Sequence, residues 1–231
     1  MQRDTTLGFF STFWQRCRFH GLCLWCFNAR YGGFLVKRLF DFVVCATVLI
    51  LLMPFVPVIA LAIRLDSPGP AFFYQTRVGK QGQLFGMWKF RSMYIDAEQR
   101  KVALMKYRDT QDDVLFKMRN DPRITRVGRL IRKTSIDEIP QFWNVLRGDM
   151  SLVGPRPPLQ SEVAKYGAYE RQRLKVKPGI TCIWQVSGRS KIPFPQQVEM
   201  DLQYINTQSI FGDILLLLKT FSAVSKGNGA W

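Results

Sequence analysis

Asp137 and Glu138 stand side by side in Thr134-Ser135-Ile136-Asp137-Glu138-Ile139-Pro140-Gln141-Phe142-Trp143-Asn144-Val145-Leu146-Arg147-Gly148, just behind Arg126, Arg129, Arg132 and Lys133. Adjacent carboxylates among cations can hold a divalent metal, and one can attack phosphorus while the cations neutralise the phosphate charge. The same residues have a structural reading. Ser135 and Glu138 have the Ser-x-x-Glu spacing of a helix capping box, and acids are favoured in a first helical turn. Pro140 complicates that reading, because proline disfavours helix at Ile139. A helix opening at Pro140, packed through Ile139, Phe142, Trp143 and Leu146 and stopped by Gly148, leaves both acids ahead of it. These residues alone leave cap and active site both open.

Three further strings put cations on turns or strands. Gly154-Pro155-Arg156-Pro157 holds an arginine between prolines, which lowers the entropy cost of fixing its guanidinium on an oxyanion. Gln185-Val186-Ser187-Gly188-Arg189-Ser190 has the glycine, hydroxyls and arginine of a phosphate-binding turn. Lys89-Phe90-Arg91-Ser92-Met93 lies on a predicted strand. Each string alone is commonplace. Together they suggest a diphosphate site containing carboxylates, with Mg²⁺ held by Asp137 and Glu138.

Several elements must position those residues. Phe42 to Ile63 is a run of 22 uncharged residues, just long enough for a bilayer core about 30 Å thick. Pro54 and Pro57 interrupt it, and Lys37, Arg38 and Arg64 flank it, so both ends favour the same, cytoplasmic side. A re-entrant helix broken at Pro54 satisfies this better than a crossing one; a proline-kinked spanning helix is the alternative. Asp41 at the entrance needs Lys37, Arg38 or headgroup water for company. Beyond it, Ala71–Gln75 and Leu84–Phe90 read as strands of a hairpin around Gly79-Lys80-Gln81-Gly82. Helices are expected over Ala97–Tyr107 and Ser161–Lys175, and between them a polar connection through Asp121-Pro122 leads to the arginine-bearing stretch Ile124–Arg132. The last segment, Ile210–Val224, carries a broad apolar face suited to the membrane surface or the core.

The 231 residues carry 33 Lys+Arg against 17 Asp+Glu, a net charge of +16, yet 47% are hydrophobic. The mean hydropathy is −0.05. That balance excludes a disordered polyelectrolyte and a multispan transporter, and leaves nucleic acid, an anionic membrane or a phosphorylated substrate as the polyanionic partner. Nucleic acid fits poorly, because proline and glycine turns interrupt the basic residues and a proline-broken apolar run has no use there. The five cysteines, Cys17, Cys23, Cys26, Cys45 and Cys182, lack a secreted disulfide pattern. Cys17, His20, Cys23 and Cys26 could ligate a metal, but donors every third residue rotate around one helix and cannot easily close a tetrahedron. Residues 1–36, mixing Phe and Trp with Arg, read as an interfacial segment, 37–66 as the membrane helix-break-helix, and 67–231 as the catalytic domain.

From Lys37 to about Ser225 the sequence resembles the bacterial sugar transferase family, the monotopic polyprenyl-phosphate phosphoglycosyl transferases. The resemblance rests on ordered strings: Lys37-Arg38-Leu39-Phe40-Asp41, Gln75-Thr76-Arg77-Val78-Gly79, Lys89-Phe90-Arg91-Ser92-Met93, Asp137-Glu138-Ile139-Pro140-Gln141, Asn144 through Pro157, and Lys177-Pro178-Gly179-Ile180-Thr181. It implies a mostly α fold with a small β-hairpin, a re-entrant helix and interfacial amphipathic helices. It also implies transfer of a sugar 1-phosphate from a UDP-sugar to polyprenyl (undecaprenyl) phosphate at the cytoplasmic face of the bacterial inner membrane, releasing UMP. By the same resemblance Asp137 is the nucleophile, forming a covalent phosphosugar–aspartate intermediate, and Glu138 assists the acceptor and Mg²⁺. Arg156 and Arg189 become phosphate ligands, with Arg132 and Lys89 nearby, and the positive charge of Lys89, Arg91, Arg132, Arg156 and Arg189 is expected to converge on the diphosphate. Neighbouring cations and Mg²⁺ are expected to keep Asp137 ionised. A homo-oligomer and contact with downstream glycosyltransferases are left open. Cys182 departs from the glycine that members often carry there, and residues 1–36 match nothing in the family, whose larger members have an N-terminal multispan domain not seen in this sequence.

Overall fold

The computed structural model describes residues 32–104, 118, 120–189 and 192–226. The expectations for residues 1–31, with Cys17, His20, Cys23 and Cys26, for the end of the helix beyond Leu104, and for Ser190 lie outside the described residues. Residues up to Leu39 belong to one compact unit and those from Phe40 to a second. The described part of the first is the opening of a helix, on which Phe34, Leu35, Val36 and Leu39 are exposed.

That helix, α1, runs from Gly32 to Leu52. Its prolines do not end it. Pro54 removes an amide, the chain tightens into a 3-10 turn over Met53–Phe55, and helix resumes as α2, Val56–Asp66. Taken together this stretch is long and apolar enough to cross a membrane, and little of it is buried. Ile50, Leu51, Met53, Phe55, Val58, Leu61 and Leu65 all face outward.

The hairpin forms as the alternation predicts, with strand β1 longer than expected. β1 (Phe72–Val78) pairs antiparallel with β2 (Leu84–Phe90), from Phe72 opposite Phe90 to Val78 opposite Leu84. Helix α3 (Ala97–Leu104) follows, then α4 (Arg126–Lys133), whose N-cap Thr125 accepts from Gly128 N at 2.9 Å. Asp66 at the end of α2 accepts from Val127 N at 2.8 Å, so a carboxylate meets the positive end of the α4 dipole and ties the two helices together. α5 (Gln141–Arg147) ends at Gly148, which takes the left-handed conformation with φ 92°. A parallel pair absent from the sequence reading follows, β3 (Ser151–Val153) beside β4 (Gly179–Thr181).

One expectation is corrected here. The helix read over Ser161–Lys175 is interrupted, with α6 spanning only Gln160–Val163 and a 3-10 helix over Glu170–Lys175. The reason is burial of polar groups: Arg173 turns inward to pair with Asp201, and its Nη1 donates to the Tyr166 hydroxyl at 3.0 Å. A regular helix through this stretch would satisfy its apolar spacing but not that inward guanidinium. α7 (Ile183–Ser187), α8 (Phe194–Thr207) and α9 (Ile210–Lys226) complete the chain. α9 divides its apolar residues, with Leu216 and Leu217 on the core and Phe211, Ile214, Leu218 and Phe221 exposed.

Two of the apolar clusters in the second unit lie nearest the acids' turn and hairpin. One gathers Cys45, Met87, Val145, Met150, Leu152, Val153 and Tyr204, drawn from α1, β2, α5, β3 and α8. The other gathers Ile63, Ala71, Phe90 and Ile131, with Ile136 and Ile139 against it. Polar pins fix the clusters in register. Asp41, buried in α1, accepts from Ser151 Oγ at 2.7 Å and from Leu152 N at 3.4 Å. Fully buried Asn144 accepts from Trp88 N at 3.0 Å and donates to Gly86 O at 2.7 Å, so its side-chain amide acts as a third strand against β2. Asn144→Ala therefore strands one half-buried donor and one half-buried acceptor, and we expect it to lower stability by roughly 1–3 kcal/mol, read as the detergent-solubilised protein's denaturation midpoint.

Candidate active site

The acids sit on a turn of their own. After α4, Ser135 takes the left-handed conformation, φ 56°, and Ile136–Glu138 form one 3-10 turn. Ser135 makes no capping hydrogen bond, and α5 begins beyond Pro140. The cap reading is thereby set aside. Ile136 and Ile139 on either side pack into the second apolar cluster, which anchors the turn at both ends.

Opposite the turn, β2 presents Lys89. Its Nζ lies 2.8 Å from Glu138 Oε1 and 3.9 Å from Asp137 Oδ2. Asp137 is buried, and that burial dominates its pKa: desolvation raises it, Lys89 lowers it, Glu138 raises it again and Arg132 lowers it, leaving it pushed up to about 6. Burial thus works against the cations expected to keep this group ionised, although a carboxyl near 6 is still mainly ionised at neutral pH. Glu138 goes the other way. Desolvation would raise it, but Lys89, Arg156 and the Gln141 amide outweigh that and hold it below the usual carboxylate range. Two adjacent acids therefore differ, one firmly charged and one poised near neutrality, the division expected where acid–base or nucleophilic work is done.

Arg156 is carried on a stiff loop fastened from two sides. Arg77, buried in β1, donates from Nη1 to Pro157 O at 3.0 Å, and Val78 N donates to Pro158 O at 2.9 Å. On the other side Gly179 N donates to Pro155 O at 2.9 Å and Gly154 N to Thr181 O at 3.0 Å. The backbones approach so closely that a Cβ on Gly179 would lie 2.1 Å from Gly154 N. Arg156 itself is exposed. Burial, then the like charge of Arg156, pull the Arg77 guanidinium down to about 10, so it remains charged at neutral pH. Two such cations with Lys89 and Arg132 make a field that an anion between them would relieve.

The structure thus brings together Asp137, Glu138 and Lys89, with Arg132 and Arg156 in electrostatic reach. Arg91 is not among them. Its guanidinium is buried and donates to Ser67 O, Ser67 Oγ and Pro68 O, clamping the turn after α2. Arg189 follows α7 in a left-handed conformation, φ 51°, and among the described residues no hydrogen bond or ion pair joins it to the acids. Sequence reasoning missed Arg77, Gln141 and Asn144 as site-building residues. The available signal was an arginine just before the apolar end of a strand and two amides inside an apolar helix.

Lys89→Met removes the counter-charge that lowers both acids, so each is harder to ionise in the folded protein and the stability the change costs grows as pH rises. We expect a loss of roughly 1–3 kcal/mol at pH near 7.5 and a clearly smaller one near pH 5, measured by thermal melts of wild type and variant.

The sequence profile of the bacterial sugar transferase family matches residues 32–227. The chain is 47% identical over 209 residues to the galactosyl transferase CpsE of Streptococcus agalactiae, covering 87% of this chain and 44% of that protein. It is 42% identical over 194 residues to a UDP-glucose:undecaprenyl-phosphate glucose-1-phosphate transferase of Escherichia coli, covering 80% and 39%. An exopolysaccharide production protein of Rhizobium meliloti is 34% identical over 207 residues, covering 86% and 89%. The chain therefore spans less than half the length of the first two relatives and most of the third. With the acid pair, its lysine and its arginine loop falling inside the matched span, the chain belongs to the bacterial sugar transferase family.

Proposed function

We propose that this chain transfers a sugar 1-phosphate from a UDP-sugar to polyprenyl (undecaprenyl) phosphate, at a membrane step of bacterial surface-glycan synthesis. The observation that carries the reading is the buried Asp137–Glu138 pair, held by Lys89 within the field of Arg132 and Arg156. The printed name of the Escherichia coli relative, which couples UDP-glucose to undecaprenyl phosphate, supports the substrate classes.

In this reading an Asp137 carboxylate oxygen attacks the phosphorus bonded to the sugar. The new Asp–O–P bond forms as the bridging P–O bond breaks, and its electron pair leaves with UMP. Arg156 and Lys89 stabilise the charge that accumulates on the phosphoryl oxygens. A phosphate oxygen of the polyprenyl acceptor then attacks the same phosphorus and restores the carboxylate, giving polyprenyl diphosphate sugar. Glu138, held ionised, orients the acceptor.

Asp137 and Glu138 are also the donors for Mg²⁺. Among the described residues no cluster of three or more His, Cys, Asp or Glu side chains forms. One or two carboxylates completed by substrate phosphates is the usual Mg²⁺ arrangement, and this pair fits it. When bound, the ion supplies charge neutralisation on the diphosphate.

The α1–α2 element is read as re-entrant, dipping and returning at Pro54, with the site at the cytoplasmic face of the inner membrane and residues 37–66 serving as anchor to the catalytic part. Lys37, Arg38 and Arg64 at its two ends support that reading. Cysteines introduced before Lys37 and after Arg64 should be labelled by an impermeant maleimide from the same side of the membrane. Labelling from opposite sides would establish a crossing helix.

The reaction is tested by incubating the purified chain with undecaprenyl phosphate, Mg²⁺ and a panel of UDP-sugars while following UMP. Release is expected with at least one sugar, and Asp137→Asn should reduce it by 10³-fold or more and leave no trappable phosphosugar adduct. No release with any sugar from folded protein would sink the reaction, and turnover surviving in Asp137→Asn would refute the nucleophile.

A further inference from the structure

Helix α4, Arg126-Val127-Gly128-Arg129-Leu130-Ile131-Arg132-Lys133, has two faces of unlike character. Ile131 lies in the apolar cluster that also holds Ile63 of α2, and Val127 packs against it with Ile59 and Ala60. Gly128 sets how closely the helix is seated, since a Cβ there would lie 2.0 Å from Ser92 O. The helix therefore cannot roll, and its outer face points one way. At 100° per residue, Arg126, Arg129, Leu130 and Lys133 fall within about 100° of the circumference, and all four are exposed. Arg132 lies off this arc and lends its charge to Asp137 instead.

The outer face is unfavourable by itself. Like charges three and four residues apart repel, and a cation in the first turn opposes the helix dipole. No acid stands in the first turn to offset them, and among the described residues Arg126, Arg129 and Lys133 make no ion pair or side-chain hydrogen bond. A polyanion would relieve that repulsion. The position of α4 says which one. Ile63 immediately precedes Arg64, the first charge after the 22 uncharged residues Phe42–Ile63, so α4 is seated where the apolar element regains polar surroundings. In the membrane reading of α1–α2 that is the level of the lipid headgroups. Asp66, at the end of α2, accepts from Val127 N and holds the start of α4 there. Nucleic acid would match the charge, but not its continuity with the exposed Leu61 and Leu65 of α2.

We propose that the outer face of α4 is a docking surface for anionic lipids, on which Arg126, Arg129 and Lys133 pair with headgroup phosphates while Leu130 enters the acyl boundary. The assignment rests on the membrane reading of α1–α2. It adds a dependence on lipid charge that an apolar anchor alone does not confer.

The test places a photo-crosslinking benzoylphenylalanine at Leu130, and separately at Leu61, in the full chain reconstituted in nanodiscs of phosphatidylcholine and phosphatidylglycerol. Lipid adducts are counted by mass spectrometry. At Leu130 the ratio of phosphatidylglycerol to phosphatidylcholine adducts should exceed the bulk ratio by about fivefold or more. Arg126→Gln/Arg129→Gln/Lys133→Gln should bring it within about twofold of bulk, as should about 0.5 M salt, whereas Arg126→Lys/Arg129→Lys should keep the enrichment. Because only outward side chains change, melting temperatures in detergent should stay within about 3 °C of wild type. Adducts at Leu130 in the bulk ratio, or none there while Leu61 gives them, would overturn the assignment. No lipid adduct at either position would overturn the membrane reading of α2 and this assignment with it. Salt-sensitive RNA binding by the detergent-solubilised chain that anionic vesicles fail to displace would make the face a nucleic-acid surface instead.

Discussion

Putting two neighbouring carboxylates where water is scarce is the demand that organises this molecule. Each charge taken from water costs several kcal/mol even after relaxation, and two side by side add their repulsion. Lys89 answers part of that demand, and it can do so only if strand and turn are held in fixed register. The hairpin is therefore pinned to α5 by Asn144, and the turn is pinned to α2, α4 and β2 through Ile136 and Ile139. What remains unanswered is visible as the raised pKa of Asp137. Packing of the turn and pinning of the hairpin are parts of one arrangement that keeps an expensive charge in place.

The large positive excess resolves into arginines with different work. Arg123 and Arg173 are buried in pairs with Asp121 and Asp201, Arg91 is spent on backbone carbonyls, and Arg77 holds a loop. These four are structural in the first instance, since each guanidinium offers several donors in a fixed plane that can bind separate segments at once. Arg132 and Arg156 keep a share of solvent and lend their charge to the acids. Net charge thus overstates how much of the basic character faces a polyanion.

Much of this was legible from residue types. The hairpin, the proline-broken apolar helix, the stop at Gly148 and the acid pair all follow from local rules of period, proline and glycine chemistry. Lys89 and Arg156 could be named because they lie in turn or strand strings with basic character. The assignment of Arg91 with them failed for a physical reason: alternate positions on a strand say which face a side chain shares, not whether a long side chain continues past the strand end, as Arg91 does toward Ser67. The break in the helix expected to Lys175 was equally hidden, because it depends on Asp201, far along the chain, meeting Arg173. Asn144 and Arg77 were overlooked because their partners are backbone groups, which no residue string displays.

The pin between Asp41 and Ser151 joins residues 110 positions apart. During synthesis the carboxylate leaves the ribosome in an otherwise acid-free apolar helix, and at typical elongation rates its hydroxyl partner follows roughly 5–20 s later. For that interval the nascent helix holds Asp41 without its two partners on β3. The first helix can thus be made early but cannot be locked early. Its final seating is timed by the arrival of β3.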